Sequence, residues 1–115
     1  MTDLFAYKIL TAEQYDQFKT EGVFKGAPVD LADGYIHMST RDQAAETVAK
    51  HFAGQDRLVM LMIDLAAVRD AIRWEESRGG ALFPHLYADL PIAAVAGKVI
   101  LRIGDDGAHA FPAGF

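Results

Sequence analysis

The sequence predicts an α+β domain, on three observations. Two segments in the first half carry helix caps and a 3.6-residue apolar period, five to seven short strand-like runs occur along the chain and dominate its second half, and no regular strand–helix alternation links them. Helices early and strands late argue against a doubly wound parallel sheet. At 115 residues, the chain is long enough for a single core and too short for two domains.

Leu4 to Leu10 is rich in aromatic and branched residues and reads as the first strand. Thr11 is a helix N-cap, with Gln14 three positions on completing a capping box. The helix runs to about Glu21, burying Tyr15 and Phe18, and Gly22 supplies its stop. Gly26-Ala27-Pro28 breaks regularity, and Asp33-Gly34 marks a turn before a strand carrying His37. Thr40 with Gln43 repeats the capping pattern and opens a second helix through about Phe52, with Ala44, Val48 and Phe52 on one stripe and Gly54 as its end.

Leu58-Val59-Met60-Leu61-Met62-Ile63 is too short for a buried helix and reads as a central strand covered on both faces. A helical turn follows over Leu65 to Asp70, then a short strand Ile72-Arg73-Trp74-Glu75, a flexible link Ser77-Arg78-Gly79-Gly80, a strand from Phe83 to Tyr87 and a last long strand from Val95 to Ile103. Gly104-Asp105-Asp106-Gly107 opens a turn, and the tail from about residue 104 is expected to be less ordered.

The formal net charge of −5 argues against a general nucleic-acid binder, whose affinity comes largely from phosphate neutralisation. The absence of cysteine excludes disulfides, zinc–thiolate sites and cysteine nucleophiles. No basic stretch followed by an apolar run opens the chain, and no apolar stretch approaches the roughly 20 residues of a membrane span. A cytoplasmic domain with no membrane partner is the expectation. The glycines form neither a Walker loop nor a dinucleotide fingerprint, no H-E-x-x-H occurs, and no metal is expected.

Two histidines in matching contexts carry the functional signal: Gly34-Tyr35-Ile36-His37-Met38-Ser39-Thr40 and Leu82-Phe83-Pro84-His85-Leu86-Tyr87. Strand alternation sets His37 opposite Ile36 and Met38 and on the face of Tyr35 and Ser39. It groups Phe83, His85 and Tyr87 likewise, and Pro84, lacking an N–H, suggests an edge or the start of a strand. Glu75 beside Trp74 is the carboxylate expected to turn inward, as a general base or a partner for a ribose diol, with Glu76 solvated. Arg78, and Arg41 in the first turn of the second helix, are candidate anion contacts. Against this stand plainer readings: His37 as a core histidine bonded to a carbonyl, Phe83, His85 and Tyr87 as an aromatic cluster. His51, late in a helix, is explained by the helix dipole, and His109 cannot be placed.

These histidine motifs, with Trp-Glu between them and Ala-Asp-Leu-Pro after the second, resemble the bacterial family known as domain of unknown function 952, over nearly the whole chain. The resemblance implies a fold similar to the ADP-ribosyltransferases: a split, mostly antiparallel β core with two main flanking helices that cradles NAD. It also implies that His37 with Ser39, and Thr40 beside them, grips the nicotinamide–ribose part of the ligand while Tyr87 stacks. The glutamate that such enzymes carry on a late strand has no counterpart, since none follows Glu76; His85 stands on such a strand instead. The implied catalytic set is therefore His37, Glu75 and His85, with Tyr35, Ser39, Thr40, Arg41, Arg78 and Tyr87 around the ligand. The implied ligand is NAD or a related nucleotide, with transfer or hydrolysis at the nicotinamide–ribose bond as the reaction. A non-catalytic ligand- or partner-binding module with structural histidines is the alternative.

Overall fold

The computed structural model describes residues 4–113 and 115, with Arg78 described by its backbone alone. In chain order the elements are β1 (Phe5–Leu10), α1 (Ala12–Glu21), β2 (Val23–Phe24), α2 (Pro28–Asp33), β3 (Ile36–His37), α3 (Arg41–His51), β4 (Leu58–Asp64), β5 (Ile72–Glu76), β6 (Leu82–Leu86), β7 (Leu90–Pro91), β8 (Val95–Ile103) and β9 (His109–Ala110). A 3₁₀ segment over Leu65–Ala71 joins β4 to β5. This is an α+β architecture in which every strand pairing is antiparallel.

The strands form a four-stranded sheet in the order β1-β4-β8-β9, a three-stranded sheet β3-β6-β5, and a small β2-β7 ribbon. The two larger sheets meet where β3 runs on into Ser39. Tyr7 N–H donates to the Ser39 carbonyl at 2.7 Å, and Ser39 N–H to the Tyr7 carbonyl at 2.9 Å.

Strand β4 is covered on both faces, as its unbroken apolar run requires. Val59, Leu61 and Ile63 enter one core with Ala6, Leu10, Phe18 of α1, Ile36, Met38 and Leu86. Leu58 and Met60 enter a second core with Tyr7, Ile9, Leu101 and Ala44 and Val48 of α3. The alternating side chains of one strand thus separate the two cores, each holding one of the expected helices.

The α1 capping box forms as the sequence predicts: Gln14 N–H donates to Thr11 Oγ1 at 3.2 Å, and Thr11 N–H to Gln14 Oε1 at 2.9 Å. Gly22 closes the helix at φ 78°, a left-handed conformation glycine adopts without strain.

Several expectations are corrected. Pro28–Asp33 is a third helix, α2, where a break was expected: Pro28 occupies the first turn, the Asp30 carboxylate accepts from Ala27 N–H at 2.8 Å, and Gly34 ends it at φ 87°. Six residues are too few to show a helical period. Ser77–Gly80 is closed by Ser77 N–H to the Ala81 carbonyl at 3.0 Å and Gly80 N–H to the Ser77 carbonyl at 3.1 Å.

Pro84 does not mark an edge: β6 is the middle strand of its sheet. The position tolerates proline because β3 calls only on its carbonyl, which accepts from Met38 N–H at 3.2 Å. Beyond Ile103 the chain turns at Gly104–Gly107 and returns as β9, so His109 is placed: it pairs with Ile103, and its Nε2 lies 2.5 Å from the Gln55 carbonyl. No helix among the described residues is long and apolar enough to cross a membrane.

Candidate functional site

The site begins with a register. β3 and β6 pair so that His37 lies directly opposite His85, and Arg73 of β5 lies opposite His85 on its other side. Ile36, Met38 and Leu86 turn into the core, so alternation sends both histidines to the other face. There the imidazoles come together with centroids 5.5 Å apart. Tyr35 lies over both, stacked on His85 at 4.1 Å and tilted against His37 at 4.6 Å, and it meets Tyr87 at 5.1 Å. Four rings drawn from β3, β6 and their flanks thus form one cluster.

Each imidazole is oriented through Nδ1 by a carboxylate. His85 Nδ1 lies 2.8 Å from Glu75 Oε1, which also accepts the Tyr87 hydroxyl at 2.7 Å. The hydrogen bond from His85, then that from Tyr87, hold the Glu75 carboxyl below its ordinary range, while the same bond raises the Tyr87 phenol. An ionised Glu75 only accepts, so His85 Nδ1 is the donor of this bond. No described side chain bonds to Nε2. The His85 side chain is only 3% exposed.

His37 is held differently. Its Nδ1 lies 2.6 Å from Asp30 Oδ1 and its Nε2 2.9 Å from Asp33 Oδ2, so α2 occupies both nitrogens. Asp30 is buried and also accepts from the His37 N–H at 3.0 Å and from Lys8 Nζ at 3.0 and 3.2 Å. Lys8 completes its donors on the His37 carbonyl at 2.9 Å. Burial lowers the Lys8 ammonium, and Asp30 works against that. Burial, followed by Asp33, Glu75 and Asp30, raises the Tyr35 phenol, which places this ring in a negative surrounding.

Glu75, rather than the exposed Glu76, joins the cluster. Ser39 is buried, its hydroxyl 2.8 Å from Thr47 Oγ1 of α3, and Thr40 N–H donates to Gln43 Oε1 at 2.9 Å to start that helix. The Arg41 guanidinium lies over the Phe115 ring at 5.0 Å. The Arg78 side chain lies outside the described residues. Reading the sequence missed Asp30, Asp33 and Lys8. It also missed Arg73, whose guanidinium covers Tyr87 at 4.9 Å. Pro28 at the start, Asp30 two residues on and Gly34 at the end were the available signal for α2 and its acids. Among the described residues, no group of three or more acid or histidine side chains is arranged to hold a metal ion.

Residues 9–98 match the model of a family described as protein of unknown function, DUF952. The chain belongs to the DUF952 family. This DUF952 protein is similar to protein CC0527 from Caulobacter crescentus. The X-ray crystal structure of CC0527 is 44% identical with a TM-score of 0.88, covering 92% of this chain and 93% of that one. Its solution NMR structure, 44% identical, has a TM-score of 0.82 and covers 92% and 91%. No curated protein matches the DUF952 chain.

Beside the cluster lies a groove of about 280 Å³ lined by Lys25, Asp30, Leu31, Tyr35, Tyr87 and Asp89, among others. Tyr35 and Tyr87 belong to both groove and ring cluster.

Proposed function

We propose that this DUF952 protein binds NAD or a nucleoside-sized part of it in the groove that shares Tyr35 and Tyr87 with the ring cluster, and that the bound ligand extends past these rings to His85, which lies outside the groove lining and acts as a general base oriented by Glu75. On this reading the antiparallel sheets joined at Tyr7 and Ser39 are an ADP-ribosyltransferase-like scaffold. The observation that carries the chemistry is His85: a buried imidazole whose Nδ1 is held on the Glu75 carboxylate and whose Nε2 bonds to no described side chain. That is how an enzyme orients a base towards a bound hydroxyl or water. In hydrolysis, Nε2 takes the proton of a water attacking the ribose carbon as nicotinamide leaves with the bonding pair. The groove volume, about 280 Å³, sits at the small end of ligand pockets and favours one ring and its sugar over a whole dinucleotide.

His37 supports the plainer alternative for its own role. With both nitrogens on Asp30 and Asp33, it acts as the joint between α2 and β3, a positioning residue for Tyr35.

A thermal-shift titration with NAD, nicotinamide mononucleotide and ADP-ribose tests the proposal. Wild type should gain melting temperature with the logarithm of ligand concentration once that exceeds Kd. His85→Asn, checked for folding by circular dichroism, should gain none, and Glu75→Gln should respond more weakly than wild type. Absence of any shift in wild type, or an equal shift in His85→Asn, would overturn the proposal.

A further inference from the structure

A cavity larger than the groove lies away from the imidazoles. It measures about 570 Å³ and is lined by Leu4, Phe5, Leu65, Ile72 and Trp74, with Asp64 and Arg69 as its charged members. Alternation along β5 explains the separation: Arg73 and Glu75 face the ring cluster, whereas Ile72 and Trp74 face the other way. Trp74 is 40% exposed and Leu4 72% exposed beside this space, a combination that marks apolar surface without a cover among the described residues.

The two charges set what could fill it. Arg69 makes no ion pair, side-chain hydrogen bond or ring contact among the described residues. Asp64 caps the 3₁₀ segment, its Oδ1 accepting from Ala66 N–H at 3.1 Å, and no cation pairs with it among the described residues. Asp64 caps the segment, Arg69 lies within it, and both line the cavity. One unpaired cation and one uncompensated anion therefore border one apolar cavity.

We propose that this cavity binds a free α-amino acid with a large apolar side chain. Its carboxylate meets Arg69, its ammonium meets Asp64, and its side chain enters against Trp74, Phe5 and Ile72. A simple organic acid would leave Asp64 facing a like charge, and a simple amine would leave Arg69 so. A zwitterion answers both. The proposal is independent of the histidine site.

Trp74 is the chain's single tryptophan and so reports on this site alone. Adding phenylalanine should change its emission saturably. N-acetylphenylalanine, which lacks the cation, and phenylalaninamide, which lacks the carboxylate, should each bind about tenfold more weakly or worse. In Arg69→Gln the difference between phenylalanine and its amide should vanish. In Asp64→Asn, which keeps an oxygen for the cap, the difference from the N-acetyl form should vanish. No saturable change up to tens of millimolar, or equal binding of all three probes to wild type, overturns the proposal without any variant being needed. A shift of Trp74 emission with protein concentration alone would name a second copy as occupant and overturn it too.

Discussion

Asp30 is the residue on which the imidazole face depends most. Its carboxylate is 1% exposed and accepts from Lys8, from the His37 ring and N–H, and from Ala27 N–H. Burial alone would push the carboxyl up. The hydrogen bond from His37, the Lys8 ammonium and the two backbone N–H groups outweigh it and hold the group at about 2 against an ordinary 3.8. Because the folded state holds the proton less readily than the unfolded chain, this stabilisation is complete above about pH 4 and lost as pH falls towards 2. It is worth about 2 kcal/mol. Asp30→Asn should therefore flatten the acid limb of stability in that window. It should also cost about 3–5 kcal/mol near neutrality, because Lys8 is left buried without its anion. Urea denaturation at a series of pH values reads both effects. Asp33→Asn, at an exposed position, should cost within about 1 kcal/mol; a loss as large as that of Asp30→Asn would contradict this ranking. His37, His85 and Glu75 were legible because each stands out from an apolar strand pattern. Asp30 was not, because a carboxylate in a short Pro-to-Gly segment reads as a turn until the lysine 22 positions away is brought against it.

Among the elements, α3 shows how a local signal becomes a tertiary one. Gln43 accepts from Thr40 N–H at 2.9 Å and donates through Nε2 to the Leu82 carbonyl at 2.8 Å, tying the helix start to the first residue of β6. The first bond was visible in the sequence as a capping box; the second was not, since it spans 39 positions. Gln43→Ala should cost about 1–2 kcal/mol, the sum of a lost cap and a lost hydrogen bond. Gln43→Glu should recover only the capping share, because glutamate accepts from Thr40 but cannot donate to Leu82. Chemical denaturation of the three proteins separates the two bonds, and equal stability of the Ala and Glu variants would deny the cap. Elements with such caps, or with a run as apolar as β4, declared themselves locally. β2, β7 and β9, two residues each, exist only through their partners. Pro84 argued for an edge because its missing N–H is visible in sequence and the single carbonyl that β3 asks of it is not.

Across the whole molecule, the order β1-β4-β8-β9 follows from pairings between distant segments, which periodicity does not encode; what the sequence did carry was that β4 must lie in the middle. Two-sided burial of β4 demands a cover on each face, and the second core draws part of its cover from the end of the chain. Phe115 meets Tyr7 edge-on at 5.2 Å, stacks on Phe111 at 5.4 Å and lies beneath Arg41 at 5.0 Å. The tail after β8 is thus part of the core's wall, although its Gly- and Asp-rich opening reads as a loose terminus. Phe115→Ala should destabilise the fold by about 1–2 kcal/mol, less than a fully buried phenylalanine, because the ring is only partly covered. A double-mutant cycle with Tyr7→Leu should return a coupling of about 0.5–1.5 kcal/mol, the share specific to the edge-on ring pair. The ligand response of His85 should be unchanged in Phe115→Ala, since the second core and the imidazole cluster share no described ring contact. A coupling near zero would mean that Phe115 covers the core without recognising Tyr7, leaving area alone as its contribution.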